Sequence, residues 1–178
     1  MKIILIHGAY GNPNNVWFPW LVTELQKLKY EVIAPAFPTP QDHNLESWMS
    51  VFKPYLKTID ENTMIIGHSI GCAFALHVLE QCNKKIKAIF LIAGFSEKIG
   101  IEKFDKINQS FLEKFDFEKI KRNCKHFFVY GSDNDPYVTP YLVVNLATKV
   151  ETKMILIKNA GHFQEKTFEK LLEDIKRV

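Results

Sequence analysis

Ser69 stands in Gly67-His68-Ser69-Ile70-Gly71, between an apolar run, Met64-Ile65-Ile66, and a helical stripe that begins at Ile70. A serine on such a sharp strand-to-helix turn has its Oγ projecting above the strand ends, where it can attack a carbonyl. The two glycines suit the turn, because side chains there would collide with neighbouring backbone. The helix N-terminus behind the turn favours negative charge developing near Ser69. The pentapeptide alone is only moderately specific. Its strand-turn-helix context raises its weight.

A serine hydroxyl needs a base within hydrogen-bond reach, and the base needs an orienting partner. Two later loops offer them. Gly131-Ser132-Asp133-Asn134-Asp135-Pro136 follows the run Phe127 to Tyr130, and Asn159-Ala160-Gly161-His162-Phe163 follows Met154 to Ile157. Ser, then Asp, then His, each at a strand end, is the chain order of an α/β-hydrolase site. Spacing alone leaves Asp133 and Asp135 nearly even. Pro136 fixes the backbone beside Asp135, which favours Asp135 as the carboxylate aimed at His162. Asp133, beside Ser132, is better placed to close its own turn through nearby amides. The other histidines compete less well: His68 reads as a packing or hydrogen-bonding residue, His43 and His126 lack a strand end after an acidic loop, and His77 lies mid-helix.

An anionic tetrahedral intermediate needs backbone N–H donors. The expected donors are the amide of Ile70 and, from the loop His7-Gly8-Ala9-Tyr10-Gly11, the amide of Ala9. That glycine-containing loop is no phosphate-binding loop, since no Gly-Lys-Ser/Thr follows it. A plain glycine turn is the alternative.

The elements that must position these residues are short apolar runs: Ile3 to Ile6, Val32 to Ala34, Met64 to Ile66, Ile86 to Ile92, Phe127 to Tyr130 and Met154 to Ile157. Runs this short suit strands buried on both faces of a parallel sheet. Helical stripes alternate with them: Trp48, Val51, Phe52, Tyr55 and Ile59; Ile70, Ala73, Phe74 and Val78; Phe168, Leu171, Leu172 and Ile175. Pro54 is expected to kink or divide the first of these helices. Such alternation predicts one α/β domain over residues 1–178. From Ser96 to Asn123, Phe104, Ile107, Phe111 and Phe115 recur at helical spacing. Two readings are open there, a crossover helix packed on the sheet or a small lid over the site.

The net charge is +3, with 23 basic residues interleaved among 20 acidic ones. No basic tract of the nucleic-acid-binding or anionic-membrane kind occurs. An apolar fraction of 47% and an aromatic fraction of 13% describe an ordinary globular core. Cys72, Cys82 and Cys124 are odd in number and lack C-x-x-C spacing. Neither a disulfide framework nor a zinc site is expected, and a reducing, cytoplasmic home is. No run could serve as a signal-peptide core or span a bilayer.

The chain resembles the small serine hydrolases of the retinoblastoma-binding protein nine-like family. The matching pieces are H-G-A-Y-G-N-P from His7, W-F-P-W from Trp17, P-A-F-P-T-P from Pro35, G-H-S-I-G, S-D-N-D-P-Y-V and G-H-F-Q from Gly161. The resemblance implies an α/β-hydrolase fold, with a parallel six-stranded sheet, helices on both faces and no separate lid domain. It also implies a triad of Ser69, Asp135 and His162, the D-P-Y-V match favouring Asp135. No L-x-C-x-E pattern occurs, so a retinoblastoma partner is not carried over, and no protein partner is assigned. The expected chemistry is acyl transfer to water, with no metal or organic cofactor. Tyr10, Trp17, Phe95, Tyr137 and Phe163, near the predicted strand ends, suggest an apolar pocket for a small acyl or aryl ester. A thioesterase, amidase or peptidase would share the triad. A binding module on a hydrolase scaffold is the reading of another class, and a strained, exposed serine speaks against it.

Overall fold

Each apolar run becomes a strand in the computed structural model, which describes residues 1–178. The strands are β1 (Lys2–Ile6), β2 (Glu31–Ile33), β3 (Thr63–His68), β4 (Ile86–Ile92), β5 (Cys124–Ser132) and β6 (Met154–Ile157). They form one 6-stranded sheet, ordered β2-β1-β3-β4-β5-β6, with every pairing parallel. The helices are α1 (Phe18–Lys27), α2 (Leu45–Leu56), α3 (Ile70–Gln81), α4 (Glu102–Asn108), α5 (Phe117–Arg122), α6 (Pro140–Lys149) and α7 (Glu169–Arg177).

Strand alternation divides the core in two. Ile3, Leu5, Met64, Ile66 and Phe90 face α1 and α7, packing on Phe18, Leu21, Leu171 and Ile175. Ile4, Ile6, Ile65, Ile89 and Leu91 face α2, α3 and α6, packing on Trp48, Phe74 and Leu146. Each such side chain is fully buried and contributes roughly 1.5–3 kcal/mol by leaving water. Helices therefore cover both faces, in the α/β-hydrolase arrangement.

The chain winds from β1 outward to β2, then returns across β1 to β3. Loops leaving β1 and β3 at their C-terminal ends part company there and leave a crevice. That crevice holds the site.

Several expectations need correction. Helix α2 runs through Pro54 to Leu56 undivided, and Ile59 lies beyond its end. Pro54 sits in the last turn, so only the carbonyl of Ser50 loses an amide partner, and Ser50 is exposed to water. Strand β5 begins at Cys124, earlier than its apolar run, because it pairs with β4 from Ile86↔Cys124 onward. β6 joins β5 only from Val129, so Lys125 and His126 lie on an open edge and are exposed. Helix α3 is buried on every side from Ile70 to Leu79, well beyond its predicted stripe.

Residues 96–123 do not form a single crossover helix. They break into α4, a 3-10 turn (Gln109–Leu112) and α5. The turn contacts α3, with Phe111 buried edge-on to Trp48 and Phe74. Phe104 borders the crevice instead, edge-on to Tyr137.

Candidate active site

Ser69 follows β3 directly and caps α3 with φ 56° and ψ −128°. This left-handed backbone costs a non-glycine residue on the order of 1–3 kcal/mol. The surrounding structure imposes it. The Ser69 amide is held by the Ile92 carbonyl at 2.9 Å, and α3 presses against β1. A Cβ on Gly71 would lie 2.5 Å from the His7 carbonyl oxygen and 2.6 Å from that of Ile6. Ile70 is the first residue of α3, so its amide is one of the helix's unpaired N-terminal donors.

Asp135 and His162 meet across the ends of β5 and β6. Nδ1 of His162 lies 2.8 Å from Asp135 Oδ2. The other carboxylate oxygen accepts the amides of Tyr137 at 2.9 Å and Val138 at 3.0 Å. With its side chain 1% exposed, the carboxylate is aimed by those amides as much as by Pro136. Because it accepts the Nδ1 proton, Nε2 of His162 is left as the lone-pair nitrogen.

Three neighbouring side chains hold the His162 loop to the loop after β5. Asp133 accepts the Asn159 amide at 2.7 Å, Ser132 Oγ that of Ala160 at 3.0 Å, and Asn134 Oδ1 that of Gly161 at 2.7 Å. Asp133 thus ties two loops together, where the sequence suggests that it closes its own turn. From the other side, His68 Nε2 donates to the His162 carbonyl at 2.9 Å. Burial is the main cause that pushes the His68 pKa down to about 3. His68 therefore stays neutral and keeps this bond through the physiological range.

His7 governs the loop after β1. Its Nε2 accepts the Phe37 amide at 2.9 Å, which places the ring proton on Nδ1. That nitrogen then donates to the Gly8 carbonyl at 2.8 Å, and the Gly11 amide donates to the same oxygen at 3.1 Å. In a trans peptide the next N–H points opposite to the carbonyl. The Ala9 N–H is therefore sent away from His7, on a residue that borders both cavities beside Ser69. Burial also lowers the His7 pKa, so the neutral tautomer persists.

Two cavities meet at Ser69, and Ala9, Tyr10, His162 and Gln164 border both. One, of about 300 Å³, is polar and includes Asn12, Asn15 and His68. The other, of about 190 Å³, is walled by Phe95, Ile99, Phe104, Tyr137 and Val138. Tyr10, Phe95 and Tyr137 thus lie where an apolar pocket is expected. Trp17 and Phe163 do not. Both are buried on the α1–α7 face of the sheet, where the Trp17 indole N–H donates to the Phe163 carbonyl at 3.1 Å. They brace the His162 loop from behind, through the residue that follows His162.

Sequence reasoning misses the parts played by His7, Phe37 and Asn134. Only His7, adjoining Gly8, carries a local hint. The described side chains include no group of three or more His, Cys, Asp or Glu that could hold a metal ion. No helix is long and apolar enough to cross a membrane.

Comparison with known proteins agrees with this architecture. The serine hydrolase family matches residues 3–177. YdeN of Bacillus subtilis is 30% identical over 167 residues, covering 92% of this chain and 86% of that protein. Its crystal structure superposes with a TM-score of 0.92 at 26% identity, covering 99% of this chain and 97% of that one. The serine hydrolase RBBP9 of Rattus norvegicus is 26% identical over 183 residues, covering 99% of this chain and 95% of that protein. On a match that spans nearly every residue, the chain belongs to the serine hydrolase family, among its small RBBP9-like members.

Proposed function

We propose that this serine hydrolase is a carboxylesterase for small acyl or aryl esters, working through an acyl-enzyme on Ser69. The observation that carries the reading is the Asp135–His162 pair at 2.8 Å beside the strained Ser69, where the apolar and polar cavities join. Nε2 of His162 takes the Ser69 proton as Oγ attacks the ester carbonyl. The oxyanion is received by the amides of Ile70 and Ala9, each worth roughly 3 kcal/mol. His162 then returns the proton to the departing alkoxide. Water, activated by the same nitrogen, releases the acid and restores Ser69. Asp135 holds the tautomer and steadies the imidazolium without taking the proton.

The apolar cavity suits the acyl group and the polar one the leaving group and incoming water. Triad chemistry alone does not choose among ester, thioester and amide, so the leaving group is fixed by measurement. The free, buried cysteines suit a reducing compartment, and the reading includes a cytoplasmic location. A fluorophosphonate probe should label Ser69, and p-nitrophenyl esters should be cleaved faster than matched thioesters and amides. A folded protein that neither labels nor cleaves any of the three is a binding module. Faster cleavage of thioesters or amides moves the assignment to those classes.

A further inference from the structure

Two polar amide side chains that the proposed reaction does not use border the apolar cavity, Asn108 and Gln164, and Gln164 is shared with the polar cavity. Asn108 ends α4, is 3% exposed, and borders this cavity but not the polar one. Its Oδ1 is taken by Nε2 of His43 at 2.9 Å. His43 sits against the rings of Trp48 and Phe111, and its Nδ1 has no partner. Burial lowers the His43 pKa, so the ring is neutral and its one N–H is the one given to Asn108. With Oδ1 committed, the amide NH₂ of Asn108 is the group left for the cavity.

A leucine at position 108 would fill similar volume but strand the His43 Nε2–H. The Asn108–His43 pair keeps a bare ring nitrogen out of water and leaves an amide donor facing the cavity. The structure also holds the pair in place, since Ser110 Oγ accepts the Leu45 amide at 3.1 Å and fastens the following turn to the start of α2. A donor held rigidly in an apolar wall is matched by a ligand that supplies an acceptor there.

We infer that Asn108 selects acyl groups carrying a second hydrogen-bond-accepting oxygen, such as a keto or ether oxygen, remote from the scissile carbonyl. The inference rests on the esterase reading, in which the scissile oxygen is already held by backbone amides, so Asn108 must meet another atom. A cavity of about 190 Å³ accommodates roughly six non-hydrogen atoms at about 30 Å³ each, the share of a liquid water. That is the size of a short oxo-acyl chain.

The test compares p-nitrophenyl hexanoate with its 4-oxo and 5-oxo counterparts, with p-nitrophenyl acetate as a short control. At least one oxo ester should exceed the parent in kcat/KM by about 10- to 100-fold, the range for pairing a buried donor. In Asn108→Leu, and in Asn108→Ser should the leucine variant misfold, that ratio should collapse towards one. Being a ratio, it is insensitive to a general loss of activity. Equal handling of the esters by the wild type, or a ratio that survives in the variants, overturns the inference and leaves the esterase reading standing. If all the esters including the acetate are inert, the esterase reading falls and takes the inference with it.

Discussion

Phe37 donates its backbone N–H to Nε2 of His7 at 2.9 Å, and this bond decides which imidazole nitrogen carries the proton. The proton on Nδ1 then grips the Gly8 carbonyl and orients the Ala9 amide. His7→Phe keeps the aromatic volume but releases that carbonyl. The variant should lose about 10²- to 10³-fold in kcat, the worth of one oxyanion donor. It should also lose roughly 1–3 kcal/mol of stability through the stranded Phe37 amide. Steady-state kinetics alongside urea unfolding check both. A folded variant with kcat within threefold of wild type would mean that Gly11 suffices to hold the peptide.

Ser69 pairs its chemistry with a backbone that favours glycine. Ser69→Gly should abolish at least 10³-fold of the hydrolysis and raise stability by about 1 kcal/mol, because glycine adopts the positive φ without penalty. Ser69→Ala should lose the same activity without that gain. Thermal unfolding of the two variants side by side separates strain from chemistry. A less stable glycine variant would contradict the strain argument.

Asp135 and Asp133 are separated by function as well as by contact. Asp135→Asn should keep the fold and lower kcat by on the order of 10³ to 10⁴, by favouring the wrong imidazole tautomer. Asp133→Asn retains an oxygen acceptor for the Asn159 amide, so it should cost no more than about 1 kcal/mol and little activity. Kinetics that rank the two variants the other way round would move the orienting role to Asp133.

Acid should destabilise this fold through its buried neutral histidines. Burial is the main cause lowering His7, His43 and His68 from 6.5, His68 to about 3. Between those values the unfolded chain binds protons that the folded chain refuses. Stability is therefore fully present above about pH 6.5 and declines as pH falls, by at most ~1.4 kcal/mol per pH unit for each ring. Melting temperatures from pH 7.5 to 4.5 should fall, and His68→Gln should flatten the slope. A constant melting temperature over that range would show that these rings protonate in place.

Much of the site was readable along the chain because its signals are local. Gly67, Ser69 and Gly71 share one turn, Asp135 adjoins Pro136, and His162 follows an apolar run. The strands were readable because successive residues such as Ile65 and Ile66 are buried on opposite faces of a parallel sheet and leave an uninterrupted apolar mark. Packing between distant segments was not readable. That Trp17 and Phe163 back the His162 loop depends on which face of the sheet they join, and nearness to a strand end does not state the face. Pro54 was tolerated because its place in the last turn of α2 leaves the Ser50 carbonyl in water. His7 finds Phe37 30 residues away, and His43 finds Asn108 65 residues away. Apolar periodicity records how much of an element is buried, whereas these bonds depend on loop paths that only the assembled sheet sets.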